Sequence, residues 1–262
     1  MPEGDTIFRT AVSLRRWVGG RTVTGGLGAD RVVGADVQVV EAKGKHLVLR
    51  FSNRWLLHTH MRMSGSWHVY PTGERWQRPA AQARVVIECG DRVAVCFNAP
   101  VVEWLRDHEE RLHGPLVRLG PDLLAPGAGG FKADLDEVVR RAAARPPSML
   151  VGELLLDQEV AAGIGNVYRC ETLFLCGLDP WTPRESVGEP RLRALMTRAR
   201  DLLAMNAANP FTRDVGLGPG QTYVYGRPHR PCRRCGTVIR TARLGFQARS
   251  IFWCPSCQVL PP

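Results

Sequence analysis

Lysine is nearly missing from this chain. Of its 35 basic residues only Lys43, Lys45 and Lys132 are lysine, which leaves 32 arginines. Acidic residues are missing altogether from positions 215–262, a stretch that carries Arg227, Arg230, Arg233, Arg234, Arg240, Arg243 and Arg249. Removing those seven leaves 28 basic and 25 acidic residues in positions 1–214, so seven of the ten net positive charges sit at the C-terminal end. A general preference for arginine explains the first absence but not the second. An arginine-rich segment without carboxylates is read as a footprint for nucleic-acid phosphates rather than an ordinary solvated face. No apolar run reaches the length a membrane span requires, and no basic-then-apolar leader opens the chain, so neither a membrane nor a secretory role is expected. Eight cysteines without a leader point to a reducing cytoplasm.

Four of those cysteines are patterned. Cys232, Cys235, Cys254 and Cys257 follow C-x2-C-x18-C-x2-C, two tight pairs whose connector has room for a hairpin with Gly245 near its tip. That spacing suits a structural Zn2+ held by four thiolates, one per chain; two disulfides are the competing reading. Cys89, Cys96, Cys170 and Cys176 lie unpatterned in apolar runs and are expected as reduced core residues.

With 44% hydrophobic residues over 262 positions, the chain can build two cored domains plus a small metal-bound module. Ile7, Ala11, Leu14 and Val18 recur at helical spacing, widened by Phe8 and Val12, with Asp5 as the expected cap and Gly19-Gly20 as the stop. Removal of Met1 would expose Pro2 as a secondary amine beside Glu3; such an amine titrates near neutrality and is nucleophilic when neutral. A frayed terminus is the competing expectation. Val37–Val40, Leu47–Phe51, Trp55–His58 and Ser66–Tyr70 read as short strands, and the alternation on either side of Gly90-Asp91 reads as a hairpin. Strands so spaced suggest an antiparallel sandwich. Lys43 and Lys45 precede the strand at Leu47, and lysine in an arginine-preferring chain invites a proton-transfer role beside the plain surface reading.

The Pro/Gly-rich stretch 114–130 is expected as a linker. It would divide a β-sandwich domain (1–113) from a helical domain (131–222) and a metal-bound finger (223–262). Beyond it the pattern turns helical at Leu135–Ala144, Met149–Asp157, Val167–Cys176 and Arg191–Asn206. Gly163-Ile164-Gly165-Asn166 opens the third helix with backbone N–H groups that could hold a phosphate, or simply turns the chain.

Taken together, Pro2-Glu3-Gly4, Gly44-Lys45-His46-Leu47, His60 to Ser66, Leu156-Asp157-Gln158, Gly163 to Tyr168 with Glu171, Val224-Tyr225-Gly226-Arg227 and the cysteine hairpin with Arg249 resemble the formamidopyrimidine-DNA glycosylase/endonuclease VIII family along essentially the whole chain. Gly4 favours the endonuclease VIII-like branch. The resemblance implies a multidomain α+β fold: an N-terminal helix with a β-sandwich, a helix–two-turn–helix domain and a zinc finger. It implies a bifunctional DNA glycosylase and abasic-site lyase of base excision repair, a monomer acting on damaged DNA in the bacterial cytoplasm at the nucleoid. Catalysis would fall to Pro2, Glu3, Lys45 and Arg249. Asn166, Met63, His60, Gly165 and Arg227 would contact DNA, Asn166 and Arg249 gripping the backbone from two sides. Glu171 would support the active site.

One departure bears on substrate. The purine-directed branch carries an Arg-Arg-Phe wedge after the Phe97 strand, where this chain reads Pro100-Val101-Val102-Glu103-Trp104. Without an arginine to read the orphaned base, oxidised pyrimidines are expected over 8-oxoguanine. A non-enzymatic zinc-finger protein recognising distorted DNA is the alternative; it would keep Asn166, Arg249 and the cysteines but would need neither Pro2, Glu3 nor Lys45.

Overall fold

The protein is described here from a computed structural model covering residues 2–127, 130–131, 134–209, 212–246 and 248–260. Met1 and Lys132 lie outside the described residues. The chain divides into two compact units, 1–118 and 119–262.

The first unit opens with helix α1 (Gly4–Val18). It starts two residues earlier than Asp5 as its cap would set it, because Glu3 keeps an extended backbone and its carbonyl accepts from the amides of Thr6 and Ile7. Asp5 is consequently a buried helical residue rather than the cap. Ile7, Ala11, Leu14 and Val18 are buried as their spacing requires, whereas Val12 faces solvent, so the apolar stripe is narrower than the sequence pattern suggested.

Two antiparallel sheets follow. Strands β1 (Val37–Lys43), β2 (His46–Phe51), β3 (Trp55–His60) and β7 (Val101–Arg106) form one in the order β1-β2-β3-β7. Strands β4 (Ser66–Pro71), β5 (Ala83–Cys89) and β6 (Arg92–Phe97) form the other in the order β4-β6-β5. Leu47, Leu49 and Leu57 from the first sheet share one core with Trp67, Val85, Ile87 and Cys96 from the second, under the buried face of α1. The Trp67 indole donates to Thr59 Oγ1 at 3.1 Å, which satisfies a buried N–H at that seam. Strand β6 is apolar on both faces because Tyr70, Val86, Val93, Val95 and Phe97 build a second small core behind it.

Strand β7 was not anticipated, since the sequence at Pro100–Trp104 stood out only for what it lacks. Its register on β3 sets His58 directly opposite Glu103. Two short helices, α2 (Asp107–Glu110) and α3 (Gly114–Val117), close the unit. Glu110 accepts from Lys43 and Arg50, so Lys43 is held in an ion network while Lys45 stands in the two-residue turn between β1 and β2.

The second unit begins with a two-residue pairing of β8 (Pro126–Gly127) and β9 (Gly130–Phe131). Helices α4 (Leu135–Ala143), α5 (Val151–Leu154), α6 (Asn166–Leu175) and α7 (Glu189–Ala208) follow, then the hairpin β10 (Arg240–Leu244) and β11 (Arg249–Trp253). The helix expected over Met149–Asp157 shrinks to α5. Gly152 lies so close to Pro180 that a Cβ there would stand 2.9 Å from the Pro180 carbonyl oxygen, and past Leu155 the backbone leaves the helix for turns. Cys89, Cys96 and Cys170 are buried thiols outside any disulfide; Cys176 is only half-buried. No helix among the described residues is long and apolar enough to cross a membrane.

Candidate active site and nucleic-acid interface

In the first unit Glu3 sits at the N-cap of α1, fully buried, and Pro2 precedes it at the positive end of a 15-residue helix. Lys45 projects from the β1–β2 turn, where Gly44 takes a φ of 59° that a two-residue hairpin turn requires. His46 and His60 are near enough to Lys45 to feel its charge. Burial pushes His46 down to about 3 and His60 to about 4, and Lys45 adds to both, so both rings are neutral at pH 7. His60 ends β3, and its Nδ1 accepts from the Arg62 amide at 3.1 Å. That bond fixes the turn on which Met63 is held out to solvent, 66% exposed. Gly65 closes the turn where a Cβ would meet Met61 Cα at 2.8 Å and Ala99 Cα at 3.0 Å.

In the second unit the short motifs explain one another. Gln158 donates to the carbonyls of Leu156 and Ile164 and accepts from the Gly163 amide, so the Leu156–Gln158 motif clamps the turn that opens α6. Gly165 caps that helix and Asn166 is its first residue. The Asn166 amide donates to the Ser250 carbonyl at 2.8 Å, and the buried Arg169 joins Asn166 Oδ1, Ser250 O and Gly152 O. The α6 terminus is thereby tied to the residue next to Arg249, which is itself exposed. Arg169 escaped sequence reasoning; its one signal was a cation three residues after Asn166 on the same helix.

Glu171 is fully buried and accepts from the amides of Tyr223 (2.8 Å), Val224 (3.0 Å) and Tyr225 (2.8 Å). Burial pushes its carboxyl above the ordinary range, while the three donors oppose that shift. It organises the Tyr223–Tyr225 loop. Glu171→Ala is expected to cost about 3 kcal/mol or more, because three amides lose their acceptor. Glu171→Gln should cost less, since only its NH2 faces an N–H. Urea unfolding of the two variants measures the difference. Arg227 gives its guanidinium to the carbonyls of Tyr223 and Pro231. With Arg213, Arg230 and Arg233 it lines an open cleft of about 760 Å³.

The four patterned cysteines converge. Cys232–Cys257, Cys235–Cys254 and Cys235–Cys257 sulfur pairs lie 3.9, 3.5 and 3.4 Å apart. Four sulfurs at about 2.3 Å around a tetrahedral Zn2+ would be about 3.8 Å apart, and a disulfide would need about 2.05 Å. All four are free thiols here, so the donor set fits a metal ion and not the two-disulfide alternative. Gly245 turns the β10–β11 hairpin with a φ of 77°.

A β-sandwich unit followed by a helical unit with a four-thiol hairpin and an arginine-lined cleft has the cationic surface of a nucleic-acid-binding protein. The chain belongs to the formamidopyrimidine-DNA glycosylase family: it matches the family's N-terminal domain over residues 1–100 and its H2TH domain over 124–209. Its relatives place it with the endonuclease 8 enzymes, which are DNA glycosylases and abasic-site lyases. It is 40% identical to "Probable endonuclease 8 2" of Streptomyces coelicolor, across 100% of this chain and 95% of that protein. It is 37% identical to "DNA-(apurinic or apyrimidinic site) lyase Nei2" of Mycolicibacterium smegmatis, across 98% and 99%. Among solved structures, a Lactococcus lactis Fpg in complex with abasic-site DNA superposes with a TM-score of 0.80 at 18% identity, covering 98% of this chain and 100% of that one. The same protein in complex with DNA containing an oxidised pyrimidine gives 0.80 at 18%, covering 98% and 99%.

Proposed function

We propose that this enzyme excises oxidised pyrimidines through an imine on Pro2 and cleaves the strand by successive β- and δ-elimination. The observation that carries the reading is the Pro2-Glu3 pair at the start of α1, with the carboxylate buried and the amine at the helix's positive end. An α-amine titrates near neutrality, so a useful fraction is neutral and nucleophilic. With Met1 removed, the Pro2 nitrogen attacks C1′ and the base departs. Glu3 acts chiefly as the acid that protonates the nucleoside as its sugar ring opens and the base departs, and it relays protons at the later steps. The resulting iminium withdraws electrons from C2′, so loss of the C2′ proton expels the 3′ phosphate, and a second elimination expels the 5′ phosphate.

In this reading Lys45 contacts the phosphate beside the lesion, and Met63, on its exposed turn, fills the gap left by the flipped nucleotide. Asn166, Gly165 and Arg249 hold the backbone from the second unit. Arg227 holds the loop carried by Glu171 and contributes its charge to the cleft. Zn2+ is the metal assigned to Cys232, Cys235, Cys254 and Cys257, and it keeps the arginine-bearing hairpin folded. The protein acts as a monomer at the nucleoid of a bacterial cytoplasm.

Substrate preference follows from β7. The segment that would carry an orphan-base arginine is a sheet strand running from Val101, and it offers Val101, Val102 and Glu103. A panel of lesion oligonucleotides tests this. Thymine glycol and abasic sites should be processed with little dependence on the opposite base, and bubbles and single strands should be accepted because unpaired bases are easier to extrude. Activity confined to 8-oxoguanine opposite cytosine in duplex contradicts it.

A further inference from the structure

We propose that His58, Glu103 and His113 form a second, exchangeable site for a divalent first-row transition-metal ion, separate from the four-cysteine cluster. The site is built by the fold of the first unit. Strand pairing puts His58 of β3 opposite Glu103 of β7, and His113 arrives from the N-cap of α3. His58 Nδ1 lies 2.8 Å from Glu103 Oε2, and His113 Nε2 lies 2.9 Å from the same oxygen. One donor atom from each residue falls within 4.8 Å of the others.

Two donors about 2.1 Å from an ion and at right angles to one another are about 3.0 Å apart, whereas tetrahedral ligation needs about 3.4 Å. The observed spacings of 2.8 and 2.9 Å are hydrogen-bond lengths that lie near the right-angle value, so an octahedral arrangement is reached with little movement. Two imidazoles and one carboxylate, with the remaining positions left to water, are a donor set for Fe2+, Co2+ or Ni2+ rather than for the soft thiolate site. The His58 side chain is 2% exposed and that of His113 is 12%, while Glu103 is 46% exposed and leaves a way in from solvent.

Without an ion, Glu103 accepts a hydrogen bond from each imidazole. Metal binding displaces both protons to the opposite ring nitrogens. His58 Nε2 lies 2.8 Å from His46 Nδ1, and this His46 nitrogen accepts from the relocated proton once the His46 proton has moved to its own Nε2; the contact then orients the ring as a supporting partner of a metal ligand does. For His113 no acceptor is in place: its Nδ1 is shielded from solvent and has no hydrogen-bond partner among the described residues. That unsatisfied N–H weakens the site, which is why we assign it an exchangeable ion of micromolar affinity and not a structural one.

The test is a titration of the untagged protein, as purified, with Co2+ and with Ni2+ by calorimetry and visible spectroscopy. The expected result is one further ion per chain. Its cobalt spectrum should be weak and of the six-coordinate oxygen/nitrogen type, without intense thiolate charge-transfer bands. Glu103→Gln and His113→Ala should each lower affinity by about tenfold or more. No binding by the unaltered protein at about 100 µM metal, where a micromolar site is filled, would overturn the proposal. So would thiolate bands that mark exchange at the cysteines, or unchanged affinity in both variants. If either variant fails to fold, stoichiometry and spectrum of the unaltered protein decide.

Discussion

Glu3→Gln is expected to slow removal of an oxidised base by about 10²- to 10⁴-fold, the range lost with a general acid/base. Cleavage at a preformed abasic site should fall much less, because the leaving group is already gone. The substitution is nearly isosteric at a fully buried position, and α1 is capped by the Glu3 carbonyl rather than by its side chain, so the helix start survives. Single-turnover rates on a lesion duplex and on the matching abasic duplex read the split. Equal losses on both substrates would move Glu3 from base departure to a step the two reactions share.

Cys254→Ser should release the metal and with it most of the DNA affinity. Structural zinc sites of this donor type supply about 10–16 kcal/mol of binding free energy, and an isolated two-stranded hairpin is marginal in water. Cys254 is fully buried, and its amide donates to Gln258 Oε1. The β10–β11 hairpin beside it is only five residues per strand. Arg249→Ala is the control: the metal stays, and the slope of log affinity against log salt falls by about one, as for one lost phosphate contact. The β-sandwich has its own core and should keep its unfolding transition in both variants. Metal content and salt-dependent binding, measured together, check both expectations. Metal-free Cys254→Ser protein that still binds DNA as the parent does would remove the hairpin from the interface.

How much of this was legible beforehand depended on how local the signal was. The cysteine spacing, the stripe on α1 and the order of the short motifs are local, and they led to the family and the architecture. Details that depend on pairing between distant segments were not. Strand β7 went unnoticed because Pro100–Trp104 drew attention only for a missing wedge, yet its register creates the His58–Glu103 contact across 45 positions. Asn166 and Ser250 are 84 positions apart in sequence, and only the fold brings the Asn166 amide to the Ser250 carbonyl. The overlong second helix is the same lesson in reverse: its apolar pattern is real, but a close approach to Pro180 and the hydrogen bonds of Gln158 take over the backbone. Asp5 looked like a cap because the sequence does not reveal that Glu3 is already extended and buried.

The most direct measurement of the central assignment is borohydride reduction of the enzyme mixed with lesion DNA, followed by peptide mapping of the trapped adduct. Lysine is the other amine side chain available, and Lys45 is the rival. An N-terminal tag should leave DNA binding in place and abolish trapping. The Pro2 assignment predicts a single adduct on the N-terminal peptide, at the Pro2 nitrogen, in protein that has lost Met1. An adduct on Lys45, or trapping undiminished when the N-terminus is blocked, would contradict it.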